Sequence, residues 1–242
     1  MTNYNWIYPP ADQTKSNSLA EQLKISHVTA QILINRGITD PQTAQTFFKS
    51  PLKELHNPFL MKDMEKAVKK IVSVLEEMVS RKQQEARPSL ITIYGDYDVD
   101  GTTGTALLKT FFKEIGVNVE YYIPDRQSEG YGINIEAIRK IATSGARLII
   151  SVDCGMSSYD EIVEAKNLGV EVIITDHHQV PEIIPPAYAI LNPSQQDCPY
   201  PYKKLSGVGV AFKLLTAIRN KLRDNPDFAD RLPNLKKHLD LA

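Results

Sequence analysis

The chain is poor in cysteine, in long apolar runs and in net charge. Its 242 residues hold two cysteines, Cys154 and Cys198, too few for a disulfide scaffold or a cysteine zinc cluster. No apolar run approaches the roughly 20 residues that span a bilayer. Met1 to Pro10 lack the basic-then-apolar pattern of a secretory signal. These absences point to a reducing, cytoplasmic location and to no membrane partner. Neither an internal repeat nor a low-complexity segment is visible. What is there, 42% hydrophobic and 24% charged residues, is the composition of an ordinary globular protein, long enough for one large domain or two small ones.

The formal net charge of −1 conceals a division along the chain. Residues 1–88 carry 12 Lys/Arg against 9 Asp/Glu, residues 89–200 carry 7 against 16, and residues 201–242 carry 9 against 4. A nucleic-acid binder that works by charge alone is basic across its contact face. An acidic middle between basic flanks suits a protein that holds cations at its centre and polyanions around them.

Residues 1–88 read as helical. Ser26 is placed to cap a helix that carries Val28, Ile32 and Leu33 and stops at Gly37. Asp40-Pro41 opens the next, with Asp at the N-cap and Pro at the first helical position. A third begins near Asp63 and aligns Met64, Ala67, Val68, Ile71, Val72 and Leu75 on one face. The polar stretch Lys82 to Pro88 reads as a connection. From Ser89 the pattern alternates. Strands over Leu90–Tyr94, Val117–Ile123, Arg147–Val152, Val170–Thr175 and Ala189–Leu191 are spaced by helices over 102–115, Asn134–Thr143 and Tyr159–Leu168. A helix over Val208–Arg223 and a helical stretch from Leu235 follow. Strands spaced by single amphipathic helices imply an α/β fold, a parallel sheet flanked by helices on both faces. The expected organisation is a helical N-terminal segment, 1–88, and an α/β domain, 89–242. That domain stops inside the run Leu239-Asp240-Leu241-Ala242 without a cap or turn signal, so it is expected to be truncated at its C-terminal end.

In an open parallel sheet, ligands bind beyond the carboxyl ends of the strands. The first strand runs into Asp96-Tyr97-Asp98-Val99-Asp100-Gly101, the third into Asp153, and the fourth into Asp176-His177-His178. One sheet edge therefore gathers five carboxylates and two imidazoles. Taken singly, each Asp is explained at least as well as the cap of a following helix. A cap needs one carboxylate, however, not an Asp-x-Asp-x-Asp, and it needs no paired histidines. Unpaired buried carboxylates cost several kcal/mol each as an order of magnitude, and divalent cations remove that cost. Oxygen and imidazole ligands without thiolates favour Mn²⁺ or Mg²⁺ over Zn²⁺.

Three loops at the same edge offer anion sites. Gly101 and Gly104 flank Thr102 and Thr103 at a helix start. Ser206-Gly207-Val208-Gly209 precedes another helix and forms a backbone nest, which makes Ser206, Gly207 and Gly209 candidate substrate contacts. Asp125-Arg126 with Glu129-Gly130-Tyr131-Gly132 forms the third, where Arg126 either clamps a phosphate or pairs with Asp125. Cys154 beside Asp153 has no basic neighbour and reads as a small buried residue.

At these residues the sequence resembles the DHH phosphoesterase superfamily and, within it, the RecJ-like single-strand exonucleases. The first block is Gly95-Asp96-Tyr97-Asp98-Val99-Asp100-Gly101-Thr102. The second runs from Pro124-Asp125-Arg126 to Glu129-Gly130-Tyr131-Gly132, and the third is Val152-Asp153-Cys154-Gly155. Asp176-His177-His178 is the signature triplet, and Ser206 to Ala211 is similar to the segment that closes the RecJ domain. Many family members carry His where this chain has Tyr94, while Tyr is common in the RecJ branch.

The resemblance implies a Rossmann-like domain and a two-metal phosphodiesterase, with two Mn²⁺ or Mg²⁺ ions about 4 Å apart that clamp the attacking and departing oxygens. Asp98 would bind one ion, Asp100 and His177 the other, and Asp153 would bridge them. Asp96 would lie beside the ions as a further ligand, and His178 would contact the scissile phosphate. A further family ligand is expected beyond Ala242, as is a smaller second domain. The implied activity is 5′-to-3′ exonuclease action on single-stranded DNA in repair and recombination, with a single-strand-binding protein or a helicase as partner. The alternatives are a phosphodiesterase for short oligonucleotides or signalling dinucleotides, and a catalytically silent replication scaffold, which would be expected to lose the ligands that this chain keeps.

Overall fold

Capping side chains set the first helices. In the computed structural model, which describes residues 10, 12–49, 54–81 and 89–242, Asp12 accepts from the Lys15 N–H at 3.0 Å and starts α1 (Gln13–Leu23). Ser26 does the same for Thr29 at 3.1 Å ahead of α2 (His27–Asn35), and Asp40 for Thr43 at 2.8 Å ahead of α3 (Pro41–Lys49). Each cap satisfies an N–H that has no partner inside its helix. The three helices bury Leu19, Ala20, Ala30, Leu33 and Ala44 within a compact unit, Met1–Leu55. Leu33 of α2 is buried as expected, but its partner is Ala30, and Val28 and Ile32 are 71% and 50% exposed. Hydrophobicity alone ranks those two above the small residue that lets helices approach.

A second compact unit spans His56–Ala242. The division therefore falls at 55/56 rather than at the expected 88. The cause is α4 (Met64–Arg81), whose stripe of Met64, Ala67, Val68, Ile71, Val72 and Leu75 is buried in one core with the sheet. Periodicity reveals such a stripe without revealing what covers it. The connection expected over 82–88 lies outside the described residues.

The sheet is all-parallel, in the order β2-β1-β3-β4-β5. Its strands are β1 (Ile91–Gly95), β2 (Glu120–Tyr122), β3 (Leu148–Val152), β4 (Glu171–Thr175) and β5 (Ala189–Leu191). With α4, the helices α5 (Val99–Glu114) and α8 (Gly207–Leu222) cover one face and bury Leu107, Phe111 and Leu214. Helices α6 (Ile135–Thr143) and α7 (Tyr159–Asn167) cover the other through Ile138, Ile141 and Ile162. Strands β1 and β3 are buried along their whole length, as a sheet covered on both faces requires.

Three elements differ from the sequence expectation by more than a single residue at an end. Helix α5 starts at Val99, not 102, because Asp98 Oδ1 caps the Gly101 N–H at 3.1 Å. Strand β2 is confined to Glu120–Tyr122, since the Val117 N–H turns back to the Phe112 carbonyl at 2.8 Å to close the preceding helix. The final helical stretch is a single 3-10 turn, Leu235–His238. The outer edge of β5 is sealed by side chains: Asp63 Oδ2 accepts from the Ile190 N–H at 3.0 Å, and the Gln195 amide donates to the Ile190 carbonyl at 2.9 Å. Edge groups satisfied this way offer no template for another strand.

Strands β1 and β3 are neighbours, yet the helices that follow them pack on opposite faces. That divergence opens a crevice beyond their carboxyl ends, where an open α/β sheet binds its ligand. Among the described residues no helix is long and apolar enough to cross a membrane.

Candidate metal centre

Four of the expected acids and both histidines converge on this crevice. Asp96 follows β1 and Asp153 follows β3, and both are buried. Asp100 lies in the first turn of α5. His177 Nε2 is 3.1 Å from Asp153 Oδ1 and 4.0 Å from Asp100 Oδ2. Ligand atoms of Asp153, His177 and His178 all lie within 4.8 Å of one another. Asp98 sits at the rim as the N-cap of α5, so the capping explanation holds for this residue. Its Oδ1 serves Gly101 and its Oδ2 remains for another partner.

The decisive feature is what the buried oxygens lack. Neither carboxylate oxygen of Asp96 has a hydrogen-bond partner, and neither does Asp153 Oδ1, despite its approach to His177. Unsatisfied buried carboxylates are expensive. Burial accordingly pushes the Asp153 carboxyl up to about 8, and the nearby Asp98 and Asp100 charges add to the effect. Burial and the Asp98 charge also raise Asp96, although the nearby Tyr97 and Gly132 N–H groups, which stand outside good hydrogen-bond geometry, lower it in part. Backbone geometry concentrates the cost, because Asp153 adopts the left-handed conformation at φ 63°, which Asp tolerates better than most residues. Opposite it stands Gly207, where any Cβ would overlap the Asp153 carboxylate. Oxygen and imidazole donors that have no partner of their own fit a hard divalent cation.

Asp176, at the end of β4, is equally buried but fully engaged. Its Oδ1 accepts from the His177 N–H at 2.7 Å, the His178 N–H at 3.1 Å and His178 Nδ1 at 2.7 Å, while Oδ2 accepts from the Met156 N–H at 3.1 Å. Although burial opposes it, these bonds hold the Asp176 carboxyl below its ordinary value. The same pairing lifts His178 to about 9. The Tyr131 hydroxyl stands 3.3 Å from His178 Nε2 and 3.3 Å from the Asp153 carbonyl. With the Tyr131 proton on that carbonyl, which only accepts, His178 Nε2 donates to the Tyr131 oxygen. The imidazole then carries both protons, a cation beside the acidic cluster.

The expected anion nests are occupied from within the chain. The Gly207 N–H donates to Asp100 Oδ2 at 3.0 Å, the Val208 N–H points at Asp100 Oδ1 at 3.5 Å, and the Gly209 N–H donates to Ser206 Oγ at 3.2 Å. Ser206 is thus the N-cap of α8, and the first N–H groups of that helix orient Asp100. At the start of α5, Thr102 Oγ1 and Thr103 Oγ1 donate to the carbonyls of Asp98 and Val99 at 2.7 and 2.6 Å. A Cβ on Gly101 would overlap the Asp96 backbone, so this glycine serves close packing. Asp125 Oδ1 accepts from Gln127 N, Ser128 N and Ser128 Oγ, while the Arg126 guanidinium lies over the Tyr97 ring at 5.5 Å. Cys154 is buried, and burial raises its thiol pKa, as an inert residue requires.

The family profile described as DHH family, N-terminal domain, matches residues 90–235. The chain belongs to the DHH family. It is 41% identical over 219 residues to the single-stranded-DNA-specific exonuclease RecJ of Bacillus subtilis, covering 90% of this chain and 27% of that protein. A crystal structure of exonuclease RecJ bound to manganese matches 75% of this chain and 41% of its own, at a TM-score of 0.59 and 34% identity. RecJ of Thermus thermophilus in complex with Mn²⁺ matches 96% of this chain and 30% of its own, at a TM-score of 0.66 and 29% identity. The chain therefore spans well under half the length of these RecJ relatives.

Within this DHH chain, the structure gives roles to three residues that the sequence placed at the site without one. Asp176 orients both histidines, Tyr131 joins His178 to the Asp153 carbonyl, and Tyr97 carries the Arg126 guanidinium. Asp176 alone had a local signal, since it immediately precedes the pair it holds. Tyr94 is buried, and its hydroxyl donates to the Gly132 carbonyl at 3.1 Å.

Proposed function

We propose that this chain is the catalytic portion of a metal-dependent 5′-to-3′ exonuclease on single-stranded DNA, acting in repair and recombination. One observation carries the reading: the buried, unbonded Asp153 Oδ1 faces His177 Nε2 at 3.1 Å, beside an equally unbonded Asp96. Asp96, Asp98, Asp100, Asp153 and His177 would hold two Mn²⁺ or Mg²⁺ ions. The carboxylate oxygens of Asp98 and Asp100 that accept N–H groups keep lone pairs for a cation. Support for the substrate comes from the RecJ relatives, named as specific for single-stranded DNA.

When bound, the two cations supply Lewis acidity and a hydroxide nucleophile at neutral pH. The chain's own residues do the rest. His178, kept cationic by Asp176, faces the phosphate being cleaved. Tyr131 limits the rotation of that imidazole through its contact at Nε2. Arg126, steadied on Tyr97, binds a phosphate of the strand. Gly207 leaves room for the Asp153 carboxylate, and Asp100 is aimed by the first N–H groups of α8.

The test is Mn²⁺-dependent digestion of single-stranded DNA labelled at either end, with Asp153→Asn as control. Asn suits φ 63° and removes only the charge. Mononucleotides released from the 5′ end by the wild type alone support the proposal. Digestion confined to short oligonucleotides favours the small-substrate phosphodiesterase, and equal activity in the variant refutes the metal assignment.

A further inference from the structure

The loop over residues 125–132 carries Arg126 and Tyr131, yet it contains two glycines in the left-handed region, Gly130 at φ 80° and Gly132 at φ 82°. Such a loop needs a fastening, and one side chain supplies most of it. Glu129 Oε2 accepts from the Asp125 N–H at 2.9 Å, which closes the loop on itself. Glu129 Oε1 accepts from the Tyr122 hydroxyl at the end of β2 and, at 3.4 Å, from the Asn134 amide. Asn134 is the N-cap of α6, and its amide also reaches the Tyr94 hydroxyl at 3.3 Å, which donates in turn to the Gly132 carbonyl. The Tyr94 and Tyr122 rings stack at 5.3 Å. One carboxylate thus ties together the end of β2, the Asp125 end of the loop and the start of α6. Both of its oxygens are taken by groups of the chain.

We propose that Glu129 is a positioning residue for strand binding: it fixes the Asp125 end of the 125–132 loop so that Arg126 meets the substrate, while the Tyr131 end is held by the Tyr94 hydroxyl at the Gly132 carbonyl. This rests on the function proposed above and extends it to a residue that touches neither metal nor DNA. Because Glu129 acts through the loop, its removal weakens strand binding and spares both metal uptake and the chemical step. The side chain of Asp125, the other acid of the loop, accepts only from Gln127 and Ser128 among the described residues.

The experiment compares the full chain with Glu129→Ala, Glu129→Gln and Tyr122→Phe, the last removing the same contact from the strand side. With Mn²⁺ and single-stranded DNA, KM is expected to rise about tenfold in Glu129→Ala and about threefold in Glu129→Gln and Tyr122→Phe, with kcat within about twofold. Mn²⁺ affinity stays unchanged. Adding Arg126→Ala to Glu129→Ala produces no loss beyond that of Arg126→Ala alone, because both changes remove the same contact. Multiplicative losses, or a fall in Mn²⁺ affinity, overturn the proposal. If the Glu129 variants do not fold, Tyr122→Phe decides it. A wild type that takes up Mn²⁺ but neither binds nor cuts DNA refutes the functional reading instead. The fastening is then read from amide exchange over 123–132. Tyr122→Phe must accelerate it severalfold, and unchanged exchange overturns the fastening as well.

Discussion

Two neighbouring strand ends place a buried aspartate at the same sheet edge and treat it in opposite ways. At the end of β4, Asp176 accepts four hydrogen bonds and stays readily ionised. At the end of β3, Asp153 leaves Oδ1 without one, and burial drives its carboxyl up to about 8. Burial of an acid therefore does not mark a ligand. What marks it is an acceptor that the chain declines to satisfy. By this criterion Asp176 is part of the frame, and the proposed function would have Asp153 and Asp96 open to a cation.

The largest expected effect separates the two acids by activity. Asp153→Asn should lower Mn²⁺-dependent cleavage by about a thousandfold or more, in keeping with the loss of a shared ligand, while the metal-free fold melts no earlier than wild type. Asp176→Ala should instead lower stability by about 3 kcal/mol, because it strands buried N–H groups that had a charged acceptor. Chemical denaturation without metal measures both. An Asp153→Asn variant that unfolds as readily as Asp176→Ala would erase the contrast.

A pH series sharpens the same comparison. The Asp153 carboxyl is raised in the fold, so its stabilising contribution is complete below the ordinary value near 3.8 and is lost as pH climbs to about 8. His178 is raised to about 9, so its contribution is complete below 6.5 and is lost as pH passes about 9. The lowered Asp176 works the other way and loses its contribution only as pH falls below about 4. The metal-free protein should therefore melt progressively earlier from pH 6 to pH 9. Mn²⁺ should raise Tm more at pH 8 than at pH 6, because it competes with a proton at Asp153. An Mn²⁺ shift independent of pH would contradict the assignment. The smallest effect belongs to the rim: Arg126→Ala should raise KM for the strand about tenfold and leave Mn²⁺ affinity intact.

How much of this was legible in the sequence follows from how local each cause is. Ser26 and Asp40 cap their helices as their positions indicate, since a cap acts over three residues. The α/β alternation and the strand-end acids were equally plain, because strands announce themselves through their own composition. The nest at Ser206 to Gly209 has a partner that its own sequence does not announce. Its N–H groups do bind an anion, but that anion is Asp100, 107 residues away from Gly207. The unit boundary at 55/56 escaped for a similar cause, since the stripe on α4 shows that something covers it and not that the sheet does. Glu129 looks like an ordinary loop acid until Tyr122 and Asn134 close around it. The family resemblance supplied the ligand roles, and the unsatisfied oxygens give them a physical reason.

The most direct test of the central claim is a calorimetric titration of metal-free protein with Mn²⁺ at pH 7.5, wild type against Asp153→Asn. The account predicts that the wild type takes up Mn²⁺ with release of protons, and that the variant binds at least about a hundredfold more weakly with less proton release. Equal affinity and equal proton release in the two proteins would contradict it.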